Sequence, residues 1–414
     1  MFIKFNKQPP NFLTWDLVKE GSNAIFKNGK SIISIEDGEE IFFDKTKNKI
    51  YILKGTFFDD CFEEKLIKKK LCLEYFATLD DEDLINFLES ADGFYSLIIL
   101  DCLVNDISIY SDHIDSKPMF FSNNLDQILV SDELKNILGC ARNDKVERSK
   151  VIDYFMFLHT PSGKTFYKNI YRTLPRMKLT ISSKKIIRNI IFSFKSKISE
   201  FKTEKEHSAN LKKLFYRSVK NCVGEKTKIS CALSGGLDSS SIASVLKDLG
   251  YKDVLLTTAI FEGKDKKKIL KTNETEYSSN VANSLGLKQK KINIKNTGCI
   301  TSYEETKEIF SEPTSLVNGY IHYEIFKYLK CKNYKIYLDG FGGDSVISHG
   351  YSKLFELAKN FRFGELIKQD KQLHMKKGAK YSIFRTIRKY IVPSIFPSRV
   401  LWALDSFRKT KNPH

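Results

Sequence analysis

Short runs of β-branched and aromatic residues, separated by turn residues, dominate the first half of the chain. SIISI (31–35), KIYIL (49–53), FYSLIIL (94–100), DISIY (106–110), KPMFF (117–121) and QILVS (127–131) predict strands of antiparallel sheets. Helical stretches near 80–91, 132–139 and 148–158 interrupt them, which makes this half α+β rather than all-β. TFYKNIYRTLPRMKLTIS (165–182) closes it with a further short-strand pattern. Residues 196–206, SKISEFKTEKE, are polar and aperiodic and are expected to link a domain over residues 1–200 to one over 207–414.

Beyond the linker the period changes. Leu211, Leu214, Phe215 and Val219 mark one face of a helix. A buried strand then ends at Leu233, a glycine-rich turn follows, and a helix runs from about Ser239 to Leu249. DVLLTTAIF (253–261), a helix near 275–286, KKINI (290–294) and KIYLDGFGGD (335–344) repeat the alternation. Strands alternating with helices predict a parallel, doubly wound sheet with ligands at the carboxyl ends of its strands.

Composition narrows the class. The 414 residues are 42% hydrophobic and 29% charged, as in globular domains. Lys+Arg 68 against Asp+Glu 50 gives a net charge of +18, but the lysines are scattered in runs such as KKKL (68–71) and KDKKK (264–268). Scattered runs describe a solvated surface, and no nucleic-acid partner is expected. The eight cysteines form no C-x-x-C pair or Cys/His cluster, so a zinc site is not indicated. No apolar run approaches the ~20 residues of a membrane span. MFIKFNKQPPNF lacks a signal-peptide core. A cytoplasmic protein with free thiols is the expectation.

The chemistry concentrates in two loops. CALSGGLDSSSIA (231–243) has paired glycines, an acid and a run of hydroxyls, but no P-loop lysine. Gly235 and Gly236 let the main chain approach an anion, and the helix that follows points its free N–H groups at it. Leu233 ends the strand, while Ser234, Ser239 and Ser240 add hydroxyl donors. Asp238 would repel a bare phosphate and makes sense as a ligand of Mg²⁺ bridging phosphate oxygens. The second loop, Asp339 to Asp344 with Gly340, Gly342 and Gly343, repeats the design and offers Asp344 as a second metal ligand.

LSGGLDSSSIA resembles the pyrophosphatase loop of the asparagine synthetase superfamily, and LDGFGGD sits where that family carries its second magnesium loop. NETEY (273–277) and SEP (311–313) fall where it carries further acids, which makes Glu274 and Glu312 candidate catalytic residues, with His349 a third. ADGFYSLIILD (91–101), IYSDHIDSKPMFFS (109–122), LVSDELKNIL (129–138) and GKTFYKNIYRTLPRMKLTI (163–181) match, in order, its amidotransferase half. The resemblance implies a class II glutamine-amidotransferase-like (Ntn-type) β-rich domain followed by a parallel-sheet ATP-pyrophosphatase domain of the adenine nucleotide α-hydrolase type. It also implies ATP and Mg²⁺ as cofactors and an AMP-forming amide ligase as the activity.

Three departures shape the functional expectation. Working glutaminases of this type use a cysteine as the mature N-terminal residue, whereas this sequence reads Met1-Phe2-Ile3-Lys4 and its first cysteine is Cys61, so glutamine hydrolysis is not expected. Phe341 stands where asparagine synthetases place a glutamate and β-lactam synthetases a tyrosine. The family carries a catalytic lysine late in its synthetase domain, beyond where this sequence stops at RKTKNPH; a shortened domain or a substitute, Lys353 or Lys359, is the expectation. GFGGDSVISHGYSKLFELAKNFRF (340–363) looks most like the asparagine-synthase-related cyclases of peptide biosynthesis, lasso-peptide cyclases among them. Those adenylate a side-chain carboxylate for attack by the peptide's own amino terminus, and would bring a peptide or small-molecule carboxylate substrate and a precursor-peptide-binding or protease partner. Asparagine synthesis from free ammonia and a nucleotide-binding scaffold without turnover are the competing readings. The basic stripe MKKGAKYSIFRTIRKYIVPSIF (375–396) fits packing on the core, a membrane surface or a partner peptide.

Overall fold

The computed structural model describes residues 1–6, 16–19, 23–28, 31–36, 39–58, 72–124, 127–141, 145–156, 162–182, 184–193, 203–224, 228–261, 275–294, 303, 307, 309, 311–313, 318–346, 352–376 and 381–395. Cys61, Glu274, His349 and both lysine runs lie outside them.

The first half is built from two antiparallel sheets. Its strands are β1 (Phe2–Asn6), β2 (Asp16–Lys19), β3 (Asn23–Asn28), β4 (Ser31–Glu36), β5 (Glu40–Asp44), β6 (Lys49–Phe57), β7 (Gly93–Asp101), β8 (Asp106–Ser111), β9 (Phe120–Asn123), β10 (Gln127–Ser131), β11 (Ile170–Arg172), β12 (Met177–Ile181) and β13 (Ile186–Ile190). One sheet runs β11-β9-β10-β1-β4-β3-β2 and the other β13-β12-β8-β7-β6-β5. Side chains alternate between faces along each strand. On β6, Ile50 and Ile52 join Ile3, Ile33, Ile98 and Phe121 between the sheets, while Tyr51 and Leu53 face the opposite way. That outer face is covered by helices α1 (Cys72–Thr78) and α2 (Asp81–Ser90) through Phe76, Leu84, Phe87 and Leu88. Each such fully buried side chain contributes about 1.5–3 kcal/mol. Asp80 caps α2, its carboxylate accepting the Asp83 N–H at 2.8 Å. On the far side of the other sheet, helix α3 (Leu134–Ala141) packs Leu134 and Ile137 on Leu129 and Ile170.

The strand expected at 117–121 starts later, at Phe120. Pro118 has no N–H to give a ladder, and the Lys117 carbonyl is already taken by the Ser96 hydroxyl at 2.7 Å. Helix α4 (Arg148–Phe155) ends before the expected 158, where the Met156 N–H bonds the Ile152 carbonyl.

The second half carries a parallel four-stranded sheet in the order β16-β15-β14-β17, with β14 (Lys228–Ala232), β15 (Asp253–Ile260), β16 (Lys288–Asn293) and β17 (Ile336–Leu338). Helices α5 (Glu204–Val223), α6 (Leu237–Asp248) and α7 (Thr275–Leu285) meet one face of it through Val219, Val223, Leu246 and Ala282. Helix α8 (Gly319–Cys331) meets the other through Ile325 and Leu329. The sheet is thus wound on both faces. Strand order reverses between β14 and β17, the switch point at which ligands bind in such sheets.

The polar stretch expected to be linker is partly helix. Thr203 and Glu206 form a reciprocal capping box that starts α5 at Glu204. The apolar face expected on α5 is also only partly core: Val219 is buried, whereas Leu211 and Leu214 are about half exposed. Further along, α9 (Gly343–Val346), α10 (Ser352–Lys359) and α11 (Phe363–Lys376) follow β17. The basic stripe folds over Ile383–Ile395 with a π-helical turn at Ile387–Ile391, and its Tyr390 packs with Leu354, Leu357 and Leu366 in a small cluster of its own. No helix of the described residues is long and apolar enough to cross a membrane.

Candidate active site

Two loops leave neighbouring strands at the switch point. The first runs from Leu233 to Ser240 after β14. Leu233 is held on β15 from both sides of its peptide: its N–H donates to the Thr257 carbonyl at 2.8 Å, and the Thr258 hydroxyl donates to its carbonyl at 2.7 Å. Gly235 takes φ +89°, a left-handed conformation that favours glycine. A methyl group there would fall 2.6 Å from Tyr277 Cβ and 2.7 Å from the Ser278 nitrogen. The first turn of α7 therefore packs directly on the loop, so two helix N-termini converge on it. That approach was not legible in the sequence, because Tyr277 and Ser278 form no motif with the glycines.

The serines expected to bind phosphate divide into two kinds. Ser234 and Ser239 hold each other, with their hydroxyl oxygens 3.0 Å apart. Ser234 Oγ also accepts the Gly236 N–H at 3.1 Å, and Ser239 Oγ accepts the Ser234 N–H at 3.2 Å. These bonds fix the shape of the loop. Ser240 differs: its Oγ is buried and has no hydrogen-bond partner among the described residues. A buried hydroxyl without a partner costs stability unless a ligand satisfies it.

The second loop, Asp339 to Asp344, folds onto the first. A methyl group at Gly343 would sit 2.4 Å from Asp238 Oδ2, and one at Gly340 would sit 2.9 Å from Asp238 Cβ and 3.0 Å from the Ser239 nitrogen. Gly342, at φ +87°, turns the chain between them. Asp339 Oδ1 accepts the Phe341 N–H at 3.1 Å, which ties the front of the loop. The Asp238 carboxylate consequently lies against the backbone that leads into Asp344. Two carboxylates on adjoining segments suit Mg²⁺, which usually takes one or two carboxylates and completes its shell with water and substrate phosphates. No group of three or more possible metal ligands forms among the described residues, as such an arrangement does not need one. Beneath the loops, burial and the nearby Asp339 push the Cys231 thiol up to about 12, so it is a core residue and not a nucleophile.

Glu312 lies on the first half of the chain. Its Oε2 accepts the Phe166 N–H at 3.3 Å, and the neighbouring Ser311 carbonyl accepts the Tyr167 hydroxyl at 2.9 Å. This acid, expected among the catalytic residues, thus touches the first half of the chain. Lys353 and Lys359 are both exposed on α10.

A cleft of about 960 Å³ opens beside the loops, bounded by α5, α6, the second loop and Ile114 of the first half.

Two family models divide the chain where the fold does. The family model for asparagine synthase matches residues 210–398, and that for the glutamine amidotransferase domain matches residues 81–191. The two matches, an amidotransferase-type domain followed by an asparagine synthase domain, support membership of the asparagine synthetase superfamily. It is 25% identical over 298 residues to a putative asparagine synthetase [glutamine-hydrolyzing] 2 of Methanocaldococcus jannaschii, a match that covers 69% of this chain and 56% of that protein. The chain thus spans little more than half the length of this curated relative. Among solved structures it is similar to an NH3-dependent NAD synthetase from Campylobacter jejuni, at 18% identity and a TM-score of 0.25, covering 50% of this chain and 93% of the other. A glutamine phosphoribosylpyrophosphate amidotransferase from B. subtilis matches at 12% identity and a TM-score of 0.27, over 70% of this chain and 56% of the other.

Proposed function

We propose that this protein is an ATP-dependent, AMP-forming macrolactam cyclase that joins a carboxylate of a peptide to an amine of the same peptide and does not hydrolyse glutamine. The observation that carries the reading is the second loop, which presents Phe341, largely exposed, where asparagine synthetases carry a glutamate. An apolar ring beside the reacting groups favours a substrate larger and less polar than aspartate.

The ligand fit rests on the chain's own residues. The Ser240 hydroxyl and the free N–H groups at the start of α6 would receive the pyrophosphate oxygens of ATP. Ser234 and Ser239 keep Gly235 and Gly236 in the shape that admits them. Asp238 and Asp344 would hold Mg²⁺, which neutralises charge on the departing pyrophosphate when bound. A substrate carboxylate oxygen attacks the α-phosphorus, the bond to the β-phosphate oxygen breaks, and pyrophosphate leaves. The amine nitrogen then attacks the acyl carbonyl, AMP leaves with the bonding pair, and the nitrogen loses a proton. The protein's share is positioning and preorganised electrostatics.

Two cysteines of the first half are core residues rather than nucleophiles. Burial and the adjacent Glu40 push the Cys72 thiol up to about 12, and Cys102 is buried as well. A second reading, asparagine formation from aspartate and ammonia, is favoured by the name of the M. jannaschii relative. ATP–pyrophosphate exchange decides between them. Exchange that requires a peptide carboxylate supports the cyclase, and exchange with aspartate alone overturns it. Exchange with neither, while ATP still binds, leaves a nucleotide-binding scaffold.

A further inference from the structure

Apolar side chains crowd the mouth of the candidate site. Phe341 in the second loop and Leu237 at the start of α6 are each 87% exposed, Val346 is 81% exposed and Leu211 on α5 is 52% exposed. With Ile114 and Phe215 they line a single cleft of about 960 Å³. Contiguous exposed apolar surface on a folded domain marks a binding surface. Asp238, Ser240 and Asp339 line the same cleft, so it runs up to the two loops.

The shape and chemistry of the cleft choose an occupant. Free aspartate and ammonia have no apolar surface to set against four large side chains. Apolar walls beside a reacting carboxylate have a clear use, because they keep water from an acyl-adenylate that water would hydrolyse. The charge suits a peptide too. With Asp238 assigned to Mg²⁺, the described lining residues offer one further carboxylate, Asp339, one of whose oxygens accepts the Phe341 N–H, and one cation, Lys212, which match the amine and carboxylate that such a peptide carries.

We propose that this cleft binds an apolar segment of the peptide that carries the reacting carboxylate, with Leu211 and Phe341 as residues that determine its specificity. The proposal rests on the ligase reading above and adds to it where, and by which side chains, the substrate is selected.

The test uses the full chain with MgATP and a displayed library of random heptapeptides, each with one fixed aspartate. Peptides enriched on the protein are expected to be rich in leucine, isoleucine, valine and phenylalanine. Their affinity, measured by calorimetry, is expected to fall about tenfold in Leu211→Ser, the loss that removing one buried leucine side chain implies. Leu211 is half exposed on α5 and belongs to neither loop, so the variant should fold and bind MgATP as the parent does. No enrichment, enrichment without apolar bias, or affinities unchanged in Leu211→Ser each overturn the proposal. So does a dimer in sedimentation that Leu211→Ser dissociates, because the patch would then be covered by a second copy of the chain. MgATP binding is measured on the same samples. If the parent binds apolar peptides through Leu211 but not MgATP, the cleft stands and the ligase reading falls. If it binds MgATP but no peptide, the reverse holds.

Discussion

At Gly343 a single hydrogen in place of a methyl group lets one loop lie on the Asp238 carboxylate of the other. A side chain there would push the loops apart and part Asp238 from the segment leading into Asp344. Gly343→Ala is therefore expected to lower ATP–pyrophosphate exchange by at least about a hundredfold, the order lost by ångström-scale misplacement. The thermal midpoint should change little, since α9 buries few apolar groups. Exchange at parental rates in Gly343→Ala would refute the juxtaposition. Ser240 permits a sharper separation of binding from stability. Its hydroxyl bonds nothing among the described residues, so Ser240→Ala should leave the melting temperature unchanged or slightly raised while weakening MgATP binding about tenfold. Loss of stability without loss of affinity would make the hydroxyl structural. The sequence marked these serines and glycines as a candidate phosphate loop, because glycine pairs before a helix suit an anion. It did not disclose that Ser234 and Ser239 bond each other whereas Ser240 is left over. That division depends on rotamers and on a turn whose curvature no spacing records.

At the level of elements, the capping box of α5 shows both the reach and the limit of pattern reading. TEKE reads as polar and aperiodic, yet Thr203 and Glu206 exchange bonds that satisfy two N–H groups at the helix start. Thr203→Ala is expected to cost about 1 kcal/mol, and Thr203→Ser almost nothing. Denaturant unfolding followed by circular dichroism measures both, and equal losses would show that the cap is inert. The alternating strands were readable because a half-buried sheet imposes a period of two, as Ile50, Tyr51, Ile52 and Leu53 show. The faces of α5 were less so. Leu211 and Val219 lie on the same stripe, but the first opens on the cleft and the second on the sheet, and periodicity cannot tell a core from a cavity. The start of β9 was misplaced for a local reason, the missing N–H of Pro118, that apolar content hid.

At the scale of the whole molecule the question is what holds the two halves in register, since the cleft draws on both. Phe166 and Tyr167 bond Glu312 and Ser311, and Arg217 pairs with Asp92 at 3.8 Å, a contact exposed enough to add little. Glu312 is the titratable member. Burial raises its carboxyl above the ordinary 4.5, against the opposing pull of the Phe166 N–H, Arg172 and Lys150. An acid whose pKa is higher folded than unfolded holds more protons in the folded state between those two values. Stability from this group is thus fully present below 4.5 and is lost as pH rises through the raised value. Glutamine keeps the carbonyl that accepts the Phe166 N–H but cannot ionise. Glu312→Gln should therefore match the parent in acid, gain on it as pH climbs above 4.5, and hold a constant advantage once the parent's carboxyl is fully ionised. Melting temperatures across that range provide the measurement, with Tyr167→Phe as a control that removes a bond from the same contact without a titrating group. Parallel curves for parent and Glu312→Gln would mean that the carboxylate is solvated and the halves are held by other contacts. A rising difference would show that the acid assigned to catalysis by motif is part of the joint across which the cleft is formed.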